Sequence, residues 1–204
     1  LLFAYFNSKK DNFFTKEMLT EIMQGYFVEN EPLLLKESLN YDEIAYIPNL
    51  GYFDKKGNKI DDILKIDAFE ILKTSHPLLE KYFVEFYKGH IVNTNPNHNS
   101  VWEENYKELE QAILIIKEHL PAFYKEFVLA NKRIYLHDNP KILNFASVET
   151  LGMLYFYILG KKNLIYFIEE IIHQASHNYL YYVMFNKNEF FKIDSENTIM
   201  RDLT

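Results

Sequence analysis

At 204 residues, 48% hydrophobic and 17% aromatic, the chain has enough apolar surface to bury a substantial core, which excludes a disordered segment and makes one domain with a helical extension the simplest count. A net charge of -7 argues against a broad duplex-binding surface, since phosphate contacts need clustered Lys and Arg, so no nucleic-acid partner is expected. With no cysteine, disulfides and thiolate metal sites are excluded, and any bound metal must use nitrogen and oxygen ligands.

In chain order, Thr15 to Phe27 places Met18, Ile22, Met23 and Phe27 on one helical face. Tyr52 to Ile60, around Asp54-Lys55-Lys56-Gly57-Asn58, reads as a hairpin tip. Pro77 to Tyr87 repeats Leu79, Phe83 and Phe86 at helical spacing. The Asn-rich, Pro-interrupted stretch Asn93 to Ser100 favours turns and is the candidate linker, separating a helical N-terminal region at 1–92 from a second region at 101–204. Trp102 to Ala130 is largely helical, with Leu109, Ile113 and Ile116 inward and Pro121 marking a break or the first turn of a new helix. Arg133 to Leu136 is a short strand, and Phe145 to Ile158 a longer one around Gly152. Asn163 to Phe185 is an apolar helix. No run reaches the roughly 18 apolar residues of a membrane span, because Leu151 to Leu159 stops at Gly160-Lys161-Lys162, so no membrane partner and a cytoplasmic location are expected.

That last helix carries His173-Gln174-Ala175-Ser176-His177. At about 100° per residue, His177 lies about 40° around from His173 and about 6 Å further along, so both imidazoles can hold one metal ion. In the hydrolase form of this motif the second position is a glutamate base; Gln174 cannot accept a proton near neutral pH. Glu169 and Glu170, four and three residues before His173, are placed to orient an imidazole through its free nitrogen. Ser176 lies near the same face as a hydrogen-bonding group for a water or co-substrate. The whole reads as an α+β fold, predominantly helical, with a small sheet packed beside a metal-bearing helix.

The segment Phe145-Ala146-Ser147-Val148-Glu149-Thr150-Leu151-Gly152-Met153-Leu154-Tyr155, followed by Ile168 to Leu180 with its two histidines, resembles the HExxH-type 2-oxoglutarate-dependent peptide β-hydroxylase family. Ala112 to Ile116 and Leu120-Pro121 look similar too, and the resemblance covers roughly Trp102 to the C-terminus. It implies an Fe(II) site on His173 and His177, 2-oxoglutarate as co-substrate, and hydroxylation of a side chain of a ribosomally made peptide, with or without a leader segment. Such chemistry tolerates Gln174, here a hydrogen-bonding neighbour of the metal, better than hydrolysis does, because the oxidant is iron-bound and not a deprotonated water. In the family a further histidine follows the helix; none follows His177, so the third ligand lies past Thr204 or is a carboxylate, Glu196 or Asp194, with a solvated turn at Asp194-Ser195-Glu196 the plainer alternative. Arg201, in Ile199-Met200-Arg201-Asp202, matches an Arg-containing family segment and is assigned to the distal carboxylate of 2-oxoglutarate, with pairing to Asp202 the plainer alternative.

Tyr179, Tyr181 and Tyr182 read as core residues, with pocket lining as the alternative, and His137-Asp138-Asn139-Pro140 as a turn after a strand. No Gly-rich phosphate loop, dinucleotide fingerprint or Gly-x-Ser-x-Gly elbow occurs. The functional classes are therefore an Fe(II)/2-oxoglutarate peptide hydroxylase, a divergent zinc metallohydrolase, and a non-catalytic peptide-binding homologue.

Overall fold

Short strands, most of them buried on both faces, organise much more of this chain than the sequence periodicity suggests. The computed structural model describes residues 16–27, 33–36, 39, 43–72, 99–137, 142–147 and 150–184. Within them, in chain order, lie α1 (Lys16–Phe27), β1 (Ile44–Ile47), β2 (Gly51–Asp54), β3 (Lys59–Asp61), β4 (Leu64–Ile66), β5 (Phe69–Leu72), α2 (Asn99–His119), α3 (Pro121–Ala130), β6 (Arg133–His137), β7 (Met153–Tyr157) and α4 (Leu164–Val183).

Strands β1, β2 and β3 form an antiparallel sheet joined by two turns whose chemistry is legible. In the first, Leu50 N–H donates to Ile47 C=O at 3.1 Å, with Pro48 next and Asn49 at φ 66°, as a turn with Pro second and a left-handed third residue requires. In the second, the Asp54 carboxylate accepts from the Lys56 and Asn58 amides at 2.8 and 2.9 Å while Gly57 takes φ 84°. Helix α1 packs onto the first turn so closely that a Cβ on Gly25 would meet the Pro48 oxygen at 1.8 Å.

The second sheet runs β4-β5-β6-β7, antiparallel between β4 and β5 and parallel from β5 to β7. It unites both sides of the 93–100 stretch, since β5 precedes that stretch and β6 follows it. Alternation sends Phe69, Ile71, Ile134, Leu136, Leu154 and Phe156 to the helices, where they meet Ile113, Ile116, Phe127, Phe167 and Ile171. The other face presents Leu72, Tyr135, Met153 and Tyr155 to Tyr46, Tyr52 and Phe145. Each large side chain fully buried here contributes about 1.5–3 kcal/mol of transfer free energy, and coverage on both faces explains why β6 and β7 read as near-continuous apolar runs.

The expectation of a predominantly helical chain is corrected: among the described residues four helices stand beside seven strands in two sheets. The hairpin tip expected within Tyr52 to Ile60 is the turn between β2 and β3, whereas β1, β4 and β5 went unread, since at three or four residues each they are too short to display a period. Phe145 to Ile158 is not one strand either; Phe145 makes an isolated bridge to Tyr155, the chain turns through Thr150 to Gly152 (φ 95°), and β7 begins at Met153. The helix expected at Pro77 to Tyr87 and residues 93–98 of the linker lie outside the described residues, and Asn99 opens α2. Pro121 occupies the first turn of α3. Among the described residues no helix is long and apolar enough to cross a membrane.

Candidate metal centre

Helix α4 begins at a side-chain cap, Asn163, which accepts from Tyr166 N–H at 2.8 Å. The preceding loop is held by Asn105 of α2, which donates to Gly160 C=O at 3.1 Å and accepts from Lys162 N–H at 2.9 Å. Further along, Asn178 donates to Asn131 Oδ1 at 2.7 Å and to Met153 C=O at 3.0 Å, locking α4 to the end of α3 and the start of β7. The rotation of the helix is thereby fixed at both ends.

Counting about 100° per residue, the buried Phe167, Ile171, Gln174, Ala175 and Asn178 span an arc of about 100°. Tyr166, Glu170, His173, His177 and Tyr181 fill the adjoining arc of about 80°, so one ridge beside the core carries both histidines and a carboxylate. His173 is exposed and His177 half-buried. Their Nε2 atoms face each other at 3.0 Å, with ring centroids 4.8 Å apart and planes at 38°. Tyr181 stacks near-parallel to the His177 ring, 6.4 Å between centroids and 25° between planes.

This separation can be tested against a shared ion. Two nitrogens bonded to one metal at about 2.1 Å lie about 3.0 Å apart at a right angle and about 3.4 Å at the tetrahedral angle. The pair therefore fits neighbouring positions of a six-coordinate ion, while an N–H···N bond between the rings has the same length and its direction depends on the tautomer. Among the described residues no third His, Asp or Glu joins the pair at coordinating distance. Asp194, Glu196 and Arg201 lie outside the described residues.

The other residues singled out from the sequence separate into two groups. Gln174, 4% exposed, donates through Nε2 to Glu170 Oε2 at 3.2 Å, so the position of the missing glutamate is tied to a carboxylate on the histidine ridge. Glu169 is exposed and lies further round the helix, outside the ridge. Ser176 points away: its hydroxyl donates to Ile172 C=O at 2.6 Å, and it lines a cavity of about 350 Å³ with Phe123, Glu126, Phe127, Ala175 and Tyr179 on the other side of the buried arc. Tyr179 and Tyr182 are 50% and 44% exposed, so the core reading fails for them, and Tyr179 lines that cavity.

Two buried polar centres were not foreseen from the sequence, where His137 reads only as part of a turn, whereas it belongs to β6. Glu70 of β5, 5% exposed, is met by Arg133 Nε at 3.1 Å, by the Asn49 amide at 2.8 Å and by the Tyr46 hydroxyl. Arg133 also donates to Tyr46 Oη at 2.8 Å and Tyr26 Oη at 2.6 Å, so one ion pair joins α1, the β1–β2 turn and the second sheet. Burial holds the Tyr46 phenol well above its ordinary value, which keeps it a donor to Glu70. His137, 2% exposed, is the buried last residue of β6, on the face opposite the helices. Neither ring nitrogen has a hydrogen bond of good geometry among the described residues, and burial, only weakly offset by the Leu143 backbone, pushes its imidazole down to about 4.

No protein-family model matches the chain, and no curated protein matches it either. The functional reading therefore rests on the geometry of the ridge together with the motif resemblance of Phe145 to Tyr155 and Ile168 to Leu180.

Proposed function

We propose that the chain is an Fe(II)- and 2-oxoglutarate-dependent oxygenase that hydroxylates a side chain of a ribosomally made peptide in the cytoplasm, with His173 and His177 as metal ligands. The observation that carries this reading is the 3.0 Å separation of the two Nε2 atoms on one helix ridge, close to that of neighbouring ligands at a right angle. Bound iron would supply the O2-activating chemistry that places one oxygen atom in a peptide C–H bond and the other in succinate, as 2-oxoglutarate loses carbon dioxide. The chain's own residues bind and orient: Tyr181 packs along the His177 ring, the Asn178 and Asn163 contacts fix the turn of α4, and Arg201 is the proposed partner of the co-substrate's distal carboxylate. The zinc metallohydrolase alternative draws less support, since Gln174 offers no base and its amide is engaged by Glu170. A peptide-binding homologue without catalysis shares the fold but needs no metal.

Anaerobic titration of the chain with Fe(II) and 2-oxoglutarate should produce the weak visible charge-transfer band of a chelate, followed by O2-dependent succinate formation, both abolished by His173→Ala. Tight Zn(II) binding with no such band and no succinate would transfer support to the hydrolase reading. Peptide affinity that survives both histidine substitutions, without metal uptake by the parent chain, would favour the binding homologue.

A further inference from the structure

We infer that Glu170 and Gln174 form a matched pair that sets one carboxylate beside the two histidines, the charge of the absent motif glutamate being carried one helical turn toward the N-terminus. This inference rests on His173 and His177 as a metal pair. Glu170 stands three residues before His173 and seven before His177, which places it within the same ridge at about 60° and 20° of rotation from them. Gln174 sits between this ridge and the core, 4% exposed, with its amide nitrogen 3.2 Å from Glu170 Oε2.

The residue types make sense only together. An ionised glutamate accepts hydrogen bonds and donates none, whereas the Gln174 amide donates, so glutamine can fix the Glu170 carboxylate where glutamate would repel it at this contact distance. Restoring the hydrolase spelling at position 174 would oppose two carboxylates in a half-buried site. Glu170 reaches no coordinating position with the histidines, so its influence is the field of a fixed negative charge on a divalent cation in surroundings partly shielded from water. Gln174 is then a positioning residue that acts through Glu170. Outer groups that orient or charge-match a metal site commonly change affinity by about 10–100-fold, which sets the expected scale.

The test is calorimetric titration with Co(II) alone on the full chain and on His173→Ala, Glu170→Gln, Gln174→Met, Glu170→Gln with Gln174→Met, and the exchanged pair Glu170→Gln with Gln174→Glu, each checked for folding by chemical denaturation. Glu170→Gln should weaken Co(II) binding about 10-fold or more. Gln174→Met should weaken it less, and should add nothing in the Glu170→Gln background. The exchanged pair keeps one donor and one carboxylate a turn apart, and its affinity should return to within about threefold of the parent, with the visible cobalt spectrum of the parent. Parent-like binding by Glu170→Gln, or an exchanged pair as weak as Glu170→Gln, overturns the inference while leaving the histidine pair standing. Equal binding by the parent and His173→Ala, or no binding by the parent, overturns the histidine pair and this inference with it.

Discussion

The Glu70–Arg133 centre and the His173–His177 ridge are both polar clusters beside the same sheet, yet they are built on opposite terms. Glu70 is buried, and its carboxylate oxygens are met by a guanidinium, a backbone amide and a phenol drawn from three parts of the chain. The histidines sit on a single helix, partly exposed, with their nitrogens aimed at each other. A closed set of partners around a buried charge holds elements together, whereas the contact between the two histidines lies within one helix and ties no two elements to each other. The difference teaches which cluster should govern folding and which should govern binding.

The comparison is broken most severely by Glu70→Ala, which strands Arg133 and frees the Tyr46 and Asn49 donors. Removing one member of a buried pair costs about 3–5 kcal/mol, so the denaturation midpoint should fall sharply while Co(II) affinity of the folded fraction stays unchanged. A loss of metal affinity without a loss of stability would reverse the roles assigned to the two centres.

His137 sharpens the contrast, being buried like Glu70 but with no hydrogen bond of good geometry to its ring nitrogens among the described residues. Its folded-state value of about 4 lies below the ordinary 6.5, so the folded protein holds the neutral ring. The stability this lends is fully present above about pH 6.5 and is lost as pH falls from 6.5 toward 4, by a total on the order of 3 kcal/mol. Unfolding free energies measured across that window should show a steeper acid-side decline for the parent than for His137→Phe. Parallel pH profiles would mean that the ring is solvated in the folded protein.

The smallest effect on stability belongs to the residues with the largest proposed role. His173→Ala, on an exposed helical position, should change unfolding free energy by less than about 0.5 kcal/mol in metal-free buffer. With Co(II) at about 100 times its dissociation constant, the parent should gain about 2.7 kcal/mol by linkage, and the variant should gain none. An equal shift in both melting curves would place the metal elsewhere.

Sequence reading recovered the parts that carry long or strongly marked patterns. The break at Pro121, the α2 face of Leu109, Ile113 and Ile116, the β6 strand and the extent of α4 all follow from local rules, since helical periods repeat several times and proline punctuates sharply. The tip of the β2–β3 hairpin was legible around Asp54-Lys55-Lys56-Gly57-Asn58, but β1, β4 and β5 were missed, although Pro48-Asn49-Leu50-Gly51 carried a turn signal that would have marked the β1–β2 hairpin. The Glu70–Arg133 pair left no trace in the sequence, because its members are 63 positions apart and meet only through the parallel register of β5 and β6.

By itself, the sequence determined that His173, His177 and Glu170 share one side of a helix, because 3.6 residues per turn leaves no alternative once α4 forms. The tertiary structure alone decided which way that side faces. Asn178, Asn163 and the apolar row of Phe167, Ile171 and Ala175 set the helix rotation against the sheet, leaving the imidazoles at the margin of the core and Gln174 just inside it, against Glu170. Spacing along a helix is a local property of the backbone, whereas its orientation is chosen by the packing that buries the most apolar surface and satisfies the polar groups caught beneath it.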